Sequence, residues 1–340
     1  MPDATLSTLD QIRIKVRRLT RTPSEAQLAT ADIDNYVNTF VLYDFPEHLR
    51  LFDLRTLFSF VVKPYIDSYD TNTTNSNDPF YNFKNKYISL HPPLFIAGYQ
   101  SLYSQSREQF FTIYPNVTNI SSIGPVGDGA QVAFTGTLSS VPVIRNQVLF
   151  DSVDINNNGL SLIDVAIPNS SIGNLYIPSD FTISYGTINY VTGAFSFTFL
   201  TPPRAGQKIN SQTVPYVPSL PQALLFYDNT ITVRPIPDQP YEVNLEAYIR
   251  PTELLNSTDQ PQIAQWWQYI AYGTAKKIFE DRMDLESVQL IMPEFMNQQS
   301  LVIRKTILLN TNDRVSTIYA DSIGNNNGYN GNGWLNGPFF

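Results

Sequence analysis

The sequence predicts an α+β fold: a small helical core formed by both ends of the chain, interrupted by a large antiparallel β-sandwich or barrel-like insertion. Apolar residues recur at helical spacing near both ends, whereas the middle alternates apolar and polar residues between clusters of Gly, Pro and Asn. Composition agrees. Charged residues make 15% of the 340, against the roughly 25% usual for soluble proteins, while aromatics reach 13%. A chain poor in charge and rich in Tyr and Phe suits strands, and a surface polar by Asn, Ser, Thr and Tyr suits permanent contact with other subunits.

In LSTLDQIRIKVRRLTRT the positions Leu9, Ile12, Val16 and Leu19 share one helical face, with Ser7 and Asp10 placed to cap its start. Ile12, Ile14 and Val16 also alternate with Arg13, Lys15 and Arg17, the pattern of a strand. Thr22-Pro23-Ser24 interrupts the helix. A second helix is expected from Thr30, as its N-cap, with Ile33, Tyr36, Val37 and Phe40 on one face and a stop at Pro46. Leu51 to Val62 read as one long strand, the small polar run Asp70 to Asp78 as a loop, and Ser104 to Pro115 as a short helix.

Between about 130 and 250, AQVAFTGTLSS, NQVLFDSV and LIDVAI are short candidate strands. Ile188 and Tyr190 lead through a turn at Val191-Thr192-Gly193 into Phe195, Phe197 and Phe199, a hairpin with an aromatic face. Asp228-Asn229 turns a second hairpin, and the two are expected in one compact β-sandwich or barrel. Asp259-Gln260-Pro261 is a helix start, followed by a stripe of Ile263, Trp266, Trp267, Ile270, Thr274 and Ile278. Asp284 caps a last helix that Pro293 is expected to kink or divide. The chain then runs into NNNGYNGNGWLNGPFF, where Trp334, Phe339 and Phe340 are apolar anchors seeking a partner. The resulting parts are 1–70, helical with the first long strand; 71–250, the β-rich insertion; 251–322, helical; and 323–340, the Asn/Gly-rich tail.

Candidate chemistry is sparse. Two His (His48, His91) and no Cys exclude thiolate zinc sites, iron–sulfur clusters, Cys nucleophiles and disulfides. No nucleophile elbow, P-loop or dinucleotide fingerprint is present. Asp154-Ile-Asn156-Asn-Asn158-Gly159 begins like a calcium loop, yet its twelfth position is Val165 and the nearest acid, Asp164, comes one residue early. An Asn/Gly turn between strands is the plainer reading. Glu280-Asp281 and Asp284 sit at a helix end, where solvation explains them. No catalytic, cofactor or metal residue is assigned, and no enzyme activity is expected. The N-terminus lacks the pattern of a signal peptide and no 18-residue apolar run occurs, so a soluble chain without membrane contact is expected.

Net charge −8 argues against a role in coating nucleic acid. Within this acidic chain Arg13, Lys15, Arg17, Arg18 and Arg21 form a basic cluster. It reads either as a dock for an acidic partner or nucleic acid, or as the solvated face of the first helix.

The N-terminal helical pair, IRIKVRRLTRTPSEAQLATADIDNYVNTFVLYDFP, the aromatic helix with its acidic turn, QIAQWWQYIAYGTAKKIFEDRMDLESV, and the final amphipathic helix together resemble tailed-bacteriophage head-to-tail adaptor proteins. These are neck or connector rings docked under the portal, such as podovirus tail accessory and tail tubular proteins and the neck rings of crAss-like phages. GTINYVTGAFSFTFLTPPRAGQKI is also similar to β-hairpins of phage neck and baseplate domains. The β-insertion is larger than a minimal adaptor carries, and the Asn-rich tail has no counterpart. The resemblance implies a virion protein assembled in the bacterial cytoplasm, a usually dodecameric ring on the portal that meets further neck and tail rings. Such a ring extends the DNA channel without gripping DNA, and supports tail assembly. The alternative is a tail or baseplate β-sandwich that binds host-surface glycans, although all three Trp (Trp266, Trp267, Trp334) lie toward the C-terminus. A polysaccharide-degrading enzyme would need a carboxylate pair that only folding brings together.

Overall fold

Helices at both ends and strands between them make the structure α+β. The computed structural model describes residues 7–45, 52–168 and 170–312. Contacts divide the chain into two compact units, one built from residues up to 56 and from 248 onward, the other from residues 57–247. The first long strand, placed by sequence with the N-terminal part, thus runs into the second unit.

The first unit is helical. α1 (Leu9–Thr20) buries Leu9, Ile12 and Val16, which settles the helix against the strand reading of the same residues. Its N-cap is Thr8, whose Oγ1 accepts from the Gln11 amide at 3.4 Å, not Ser7 or Asp10. α2 (Thr30–Thr39) buries Ile33 and Val37 and runs on into a π-turn at Phe40–Asp44. Thr30 is the first helical residue instead of the cap, because Glu25 binds both its amide and its hydroxyl at 2.7 Å. The expected stop at Pro46 lies outside the described residues.

On the C-terminal side, Pro261 precedes the helix: a 3₁₀ turn (Ala264–Trp266) comes first, and the α-helix starts at Trp267. Two short helices of the other unit, α3 (Phe83–Lys86) and α4 (Arg107–Ile113), come earlier in the chain, so the C-terminal pair are α5 (Trp267–Asp281) and α6 (Leu285–Asn312). Asp284 caps α6 as expected, accepting from the Ser287 amide at 3.1 Å. Pro293 does not divide α6. Pro293 and Gln289, whose carbonyl loses its partner, are both exposed, so that carbonyl is left on a face open to solvent.

The two ends of the chain share one core of Leu9, Ile12, Val16, Ile33, Val37, Phe40, Ile270, Ile278, Phe295 and Val302. Trp266 and Trp267 pack at its edge. Buried Asn38 exchanges two 2.9 Å bonds with the backbone of Leu254, and the Leu9 amide reaches the Asp259 carbonyl at 2.9 Å. These satisfy polar groups that burial would otherwise penalise.

The second unit holds two sheets. The first is formed by β1 (Arg55–Val62), β2 (Ser68–Asp70), β3 (Tyr87–Ile96), β4 (Tyr99–Ser104), β13 (Ala223–Tyr227), β14 (Thr230–Arg234) and β15 (Tyr241–Ile249), in the order β1-β15-β3-β4-β13-β14-β2. The expected long strand therefore starts at Arg55, after a 3₁₀ turn at Phe52–Leu54. β13 and β4 pair in parallel, an exception to the antiparallel expectation. Phe58, Phe60, Phe80, Leu94, Ile231 and Val243 fill this core.

The second sheet comprises β5 (Asn119–Val126), β6 (Ala133–Thr137), β7 (Leu149–Val153), β8 (Gly159–Ala166), β9 (Ile172–Tyr176), β10 (Gly186–Asn189), β11 (Ala194–Thr198) and β12 (Lys208–Thr213), ordered β5-β12-β7-β8-β9-β10-β11-β6. It curls until its edges approach: Ser139, just after β6, donates to Ser121 of β5 at 3.1 Å. Phe134, Phe150, Phe195 and Phe197 point inward and fill it.

Both hairpins form. The β10–β11 turn is held by Asn189, which accepts from the amides of Val191 and Thr192, and by Gly193 at φ 73°. In the β13–β14 turn Asp228 and Asn229 have φ 48° and 56°, the left-handed pair that matches strand twist. They do not share a sheet, however. Period-two patterning fixes a strand's inward face and says nothing of which distant strand it joins.

Candidate functional site

The basic cluster of α1 separates into residues used within the fold and residues left on its surface. Arg13 grips Asp34 of α2 through Nε and Nη2 at 2.6 and 2.7 Å, a fork-to-fork pair, and that bond holds its guanidinium above the ordinary arginine range. Lys15 sits over the Tyr272 ring, 5.2 Å from its centre. Arg17 organises the α1–α2 connection: Nη1 donates to the carbonyls of Thr22, Ser24 and Leu28 at 3.3, 3.2 and 2.9 Å, and Nη2 to Glu25 and Thr30 at 2.8 and 2.9 Å. The Thr30 amide and hydroxyl, with Arg17 beside them, hold the Glu25 carboxyl below its usual range.

Arg18 and Arg21 are exposed. Arg21 ends α1 in the left-handed conformation at φ 54°, its amide bonded to the Arg17 carbonyl. With Arg17 they rim a shallow depression of about 560 Å³ that has Ile14 and Pro23 in its lining. Apolar lining and cationic edges are complementary to an acidic segment that carries an apolar side chain. The tail anchors Trp334, Phe339 and Phe340, and the loop residue His48, lie outside the described residues.

The calcium-like turn is occupied by its own backbone. Asp154 Oδ1 accepts from the amides of Asn156 and Asn158 at 2.8 Å each, and Oδ2 from the Asn158 side chain at 3.0 Å, which lowers its pKa. Asp164 lies at the other end of the β7–β8 hairpin, since Ile163 pairs with Leu149. There it is buried and accepts from the amides of Asn146 and Val148 at 2.6 and 2.8 Å. Burial raises its pKa despite those bonds. His91 Nε2 shares a 2.9 Å bond with Ser89 Oγ. Among the described residues no group of three His, Cys, Asp or Glu could hold a metal ion, and no helix is long and apolar enough to cross a membrane.

Three features were not read from sequence. Asp67 lies between Arg145 and Arg234, at 3.7 and 3.0 Å, with all three side chains 8% exposed. Nearby, a cavity of about 620 Å³ in the second unit is lined by Ser68, Tyr69, Asp70, Asn72, Asp78 and Thr230, among others. No local pattern signals either, because Asp67, Arg145 and Arg234 are distant in the chain and the cavity forms only where the stretch 66–80 meets Arg145, Ala166 and Thr230. The third, an exposed apolar row on α6 through Leu285, Met296 and Ile303, was legible: its spacings of eleven and seven residues are close to three and two helical turns.

No protein-family model matches the chain, and no curated protein matches it in sequence.

Proposed function

We propose that the chain is a structural subunit of a tailed-phage virion, a head-to-tail adaptor that assembles as a ring on the portal, extends the DNA channel and carries the tail. The observation that supports this most is the helical unit: α1 and α2 close onto α5 and α6 across the inserted β unit, as the resemblance implies, and the unit leaves a cation-rimmed apolar hollow at Arg18, Arg21, Ile14 and Pro23. In a closed ring each subunit presents two different faces, so a surface with few charges suits contact on both. An acidic protein lining a channel would repel phosphate and let DNA slide. The reading assigns no catalysis.

The test is negative-stain imaging of the purified protein mixed with its portal. Rings and a portal complex are expected; their absence overturns the reading. Because Arg13, Lys15 and Arg17 have intramolecular work, the docking variant is Arg18→Glu with Arg21→Glu. It should weaken portal binding at low salt while leaving the fold intact, and unchanged binding would remove these two residues from the dock.

A second reading, glycan binding by the β unit, is favoured by the cavity beside Tyr69, whose hydroxyl, amide and carboxylate lining fits a polyhydroxylated ligand. A glycan array without hits would set it aside.

A further inference from the structure

The cavity beside Tyr69 has a charged wall that its hydroxyl and amide lining does not account for. Arg145 lines the space together with Ser68, Asp70, Asn72, Asp78 and Thr230, and its side chain is only 8% exposed. The volume of about 620 Å³ falls within the roughly 300–1,000 Å³ of small-molecule sites. A cation buried in such a wall needs an anion beside it.

Asp67 supplies that anion only in part. It is bonded by Arg234, whose Nη1 donates to Asp67 Oδ2 at 3.0 Å and to the Val233 carbonyl at 2.9 Å. Arg145 Nε stands 3.7 Å from Asp67 Oδ1, past hydrogen-bonding range, and this nitrogen has no partner although it is buried. Arg145 Nη2 reaches the Ser68 carbonyl and hydroxyl at 3.3 and 3.4 Å, both long bonds. Two guanidiniums thus share one carboxylate, and the less satisfied of the two is the one that lines the cavity.

The outer part of the lining has the opposite charge. Asp70 is exposed and Asp78 half-buried, and each spends one oxygen on a backbone amide, that of Asn72 at 2.8 Å and that of Phe80 at 2.9 Å. Their remaining oxygens are acceptors for hydroxyl groups, and both carboxylates repel a bare anion such as phosphate. One kind of molecule meets both demands: it carries a carboxylate for the arginine and hydroxyls for the aspartates.

We infer that the cavity binds a carboxylated sugar, a uronate or sialate unit of a glycan, with its carboxylate on Arg145 and its hydroxyls at Asp70 and Asp78. The planar fork of guanidinium donors matches a carboxylate. The inference rests on the glycan reading and narrows it to acidic sugars.

The test is an array on which each uronate- or sialate-containing oligosaccharide is printed beside its methyl ester, which keeps the rings and hydroxyls and removes the charge. The full chain is expected to bind the acids at least tenfold more tightly than their esters. Arg145→Lys, which keeps the charge and loses the fork, should weaken acid binding at least tenfold. Asn72→Trp, at an exposed position of the lining, should do the same without touching the buried arginines, and an unchanged melting temperature shows that the fold persists. Equal binding to acids and esters would overturn the inference and leave the glycan reading standing. An array without hits would overturn both. Acid-selective binding that survives either substitution in a folded variant would overturn the inference as well, by placing the acidic sugar elsewhere.

Discussion

Arg17 and Arg18 are adjacent in sequence and opposite in consequence. Arg17 satisfies three carbonyls of the α1–α2 connection as well as Glu25 and Thr30, so Arg17→Ala removes charge-assisted bonds from groups that helix packing keeps partly from water. A loss of about 1–3 kcal/mol is expected in urea unfolding, whereas Arg18→Ala, an exposed change, should stay within about 0.5 kcal/mol. At this scale the sequence was half legible. The five cations could be counted, and their helical spacing seen, but Asp34, Tyr272 and Glu25 come alongside only after folding, and it is they that decide which cations remain outside. The same holds for Asp67, whose two arginines are supplied from residues 145 and 234.

At the scale of elements, what could be read followed local rules and what could not followed pairing. The helical stripes of α1, α2 and α5, the Asp284 cap and both hairpin turns rest on residues within a few positions of one another. The parallel β13–β4 pair and the curl that brings Ser121 to Ser139 rest on long-range partners that no local pattern carries. Pro293 shows the limit of a local rule: its cost is real but is reduced where the freed carbonyl faces water. Pro293→Ala should raise the stability of the helical unit by about 1–3 kcal/mol, readable as a higher urea midpoint.

Turns also set the pH response. Backbone amides lower the pKa of Asp128, Asp154 and Asp259 through bonds led by Gln131, Asn158 and Asn256, and the Ser287 hydroxyl and amide do so for Asp284. A carboxyl held lower in the folded state contributes stability above the unfolded value, about pH 4, that is lost as pH falls through the folded value. Asp164, raised by burial, has the opposite sign: its contribution is complete below about pH 4 and is lost as pH rises through its folded value. The melting temperature should therefore drop below about pH 4. Asp154→Asn should flatten that acid limb, and Asp164→Asn should gain on the natural protein as pH rises from about 4 to 7.

Over the whole molecule, the two units keep separate cores, and each has a glycine at which an added Cβ would force its neighbours to shift. A Cβ at Gly273 would lie 2.1 Å from the Phe40 ring, in the helical core. A Cβ at Gly173 would lie 1.9 Å from the Tyr190 hydroxyl, inside the curled sheet. Urea unfolding followed by amide exchange is expected in two steps. Gly273→Ala should move only the helical step and Gly173→Ala only the β step, each by about 1–3 kcal/mol. A single transition shifted equally by both would show that the units unfold as one.

The helical core joins residues from both sides of the inserted β unit, and this has a consequence during synthesis. α1 and α2 leave the ribosome with Leu9, Ile12, Val16, Ile33, Val37 and Phe40 prepared for partners that α5 and α6 have yet to supply. About 200 residues must be translated in between, roughly 10–40 s at ordinary rates of synthesis. For that interval the earliest-made part of the protein is its least finished, a bare apolar surface waiting on the nascent chain and a natural client for a chaperone.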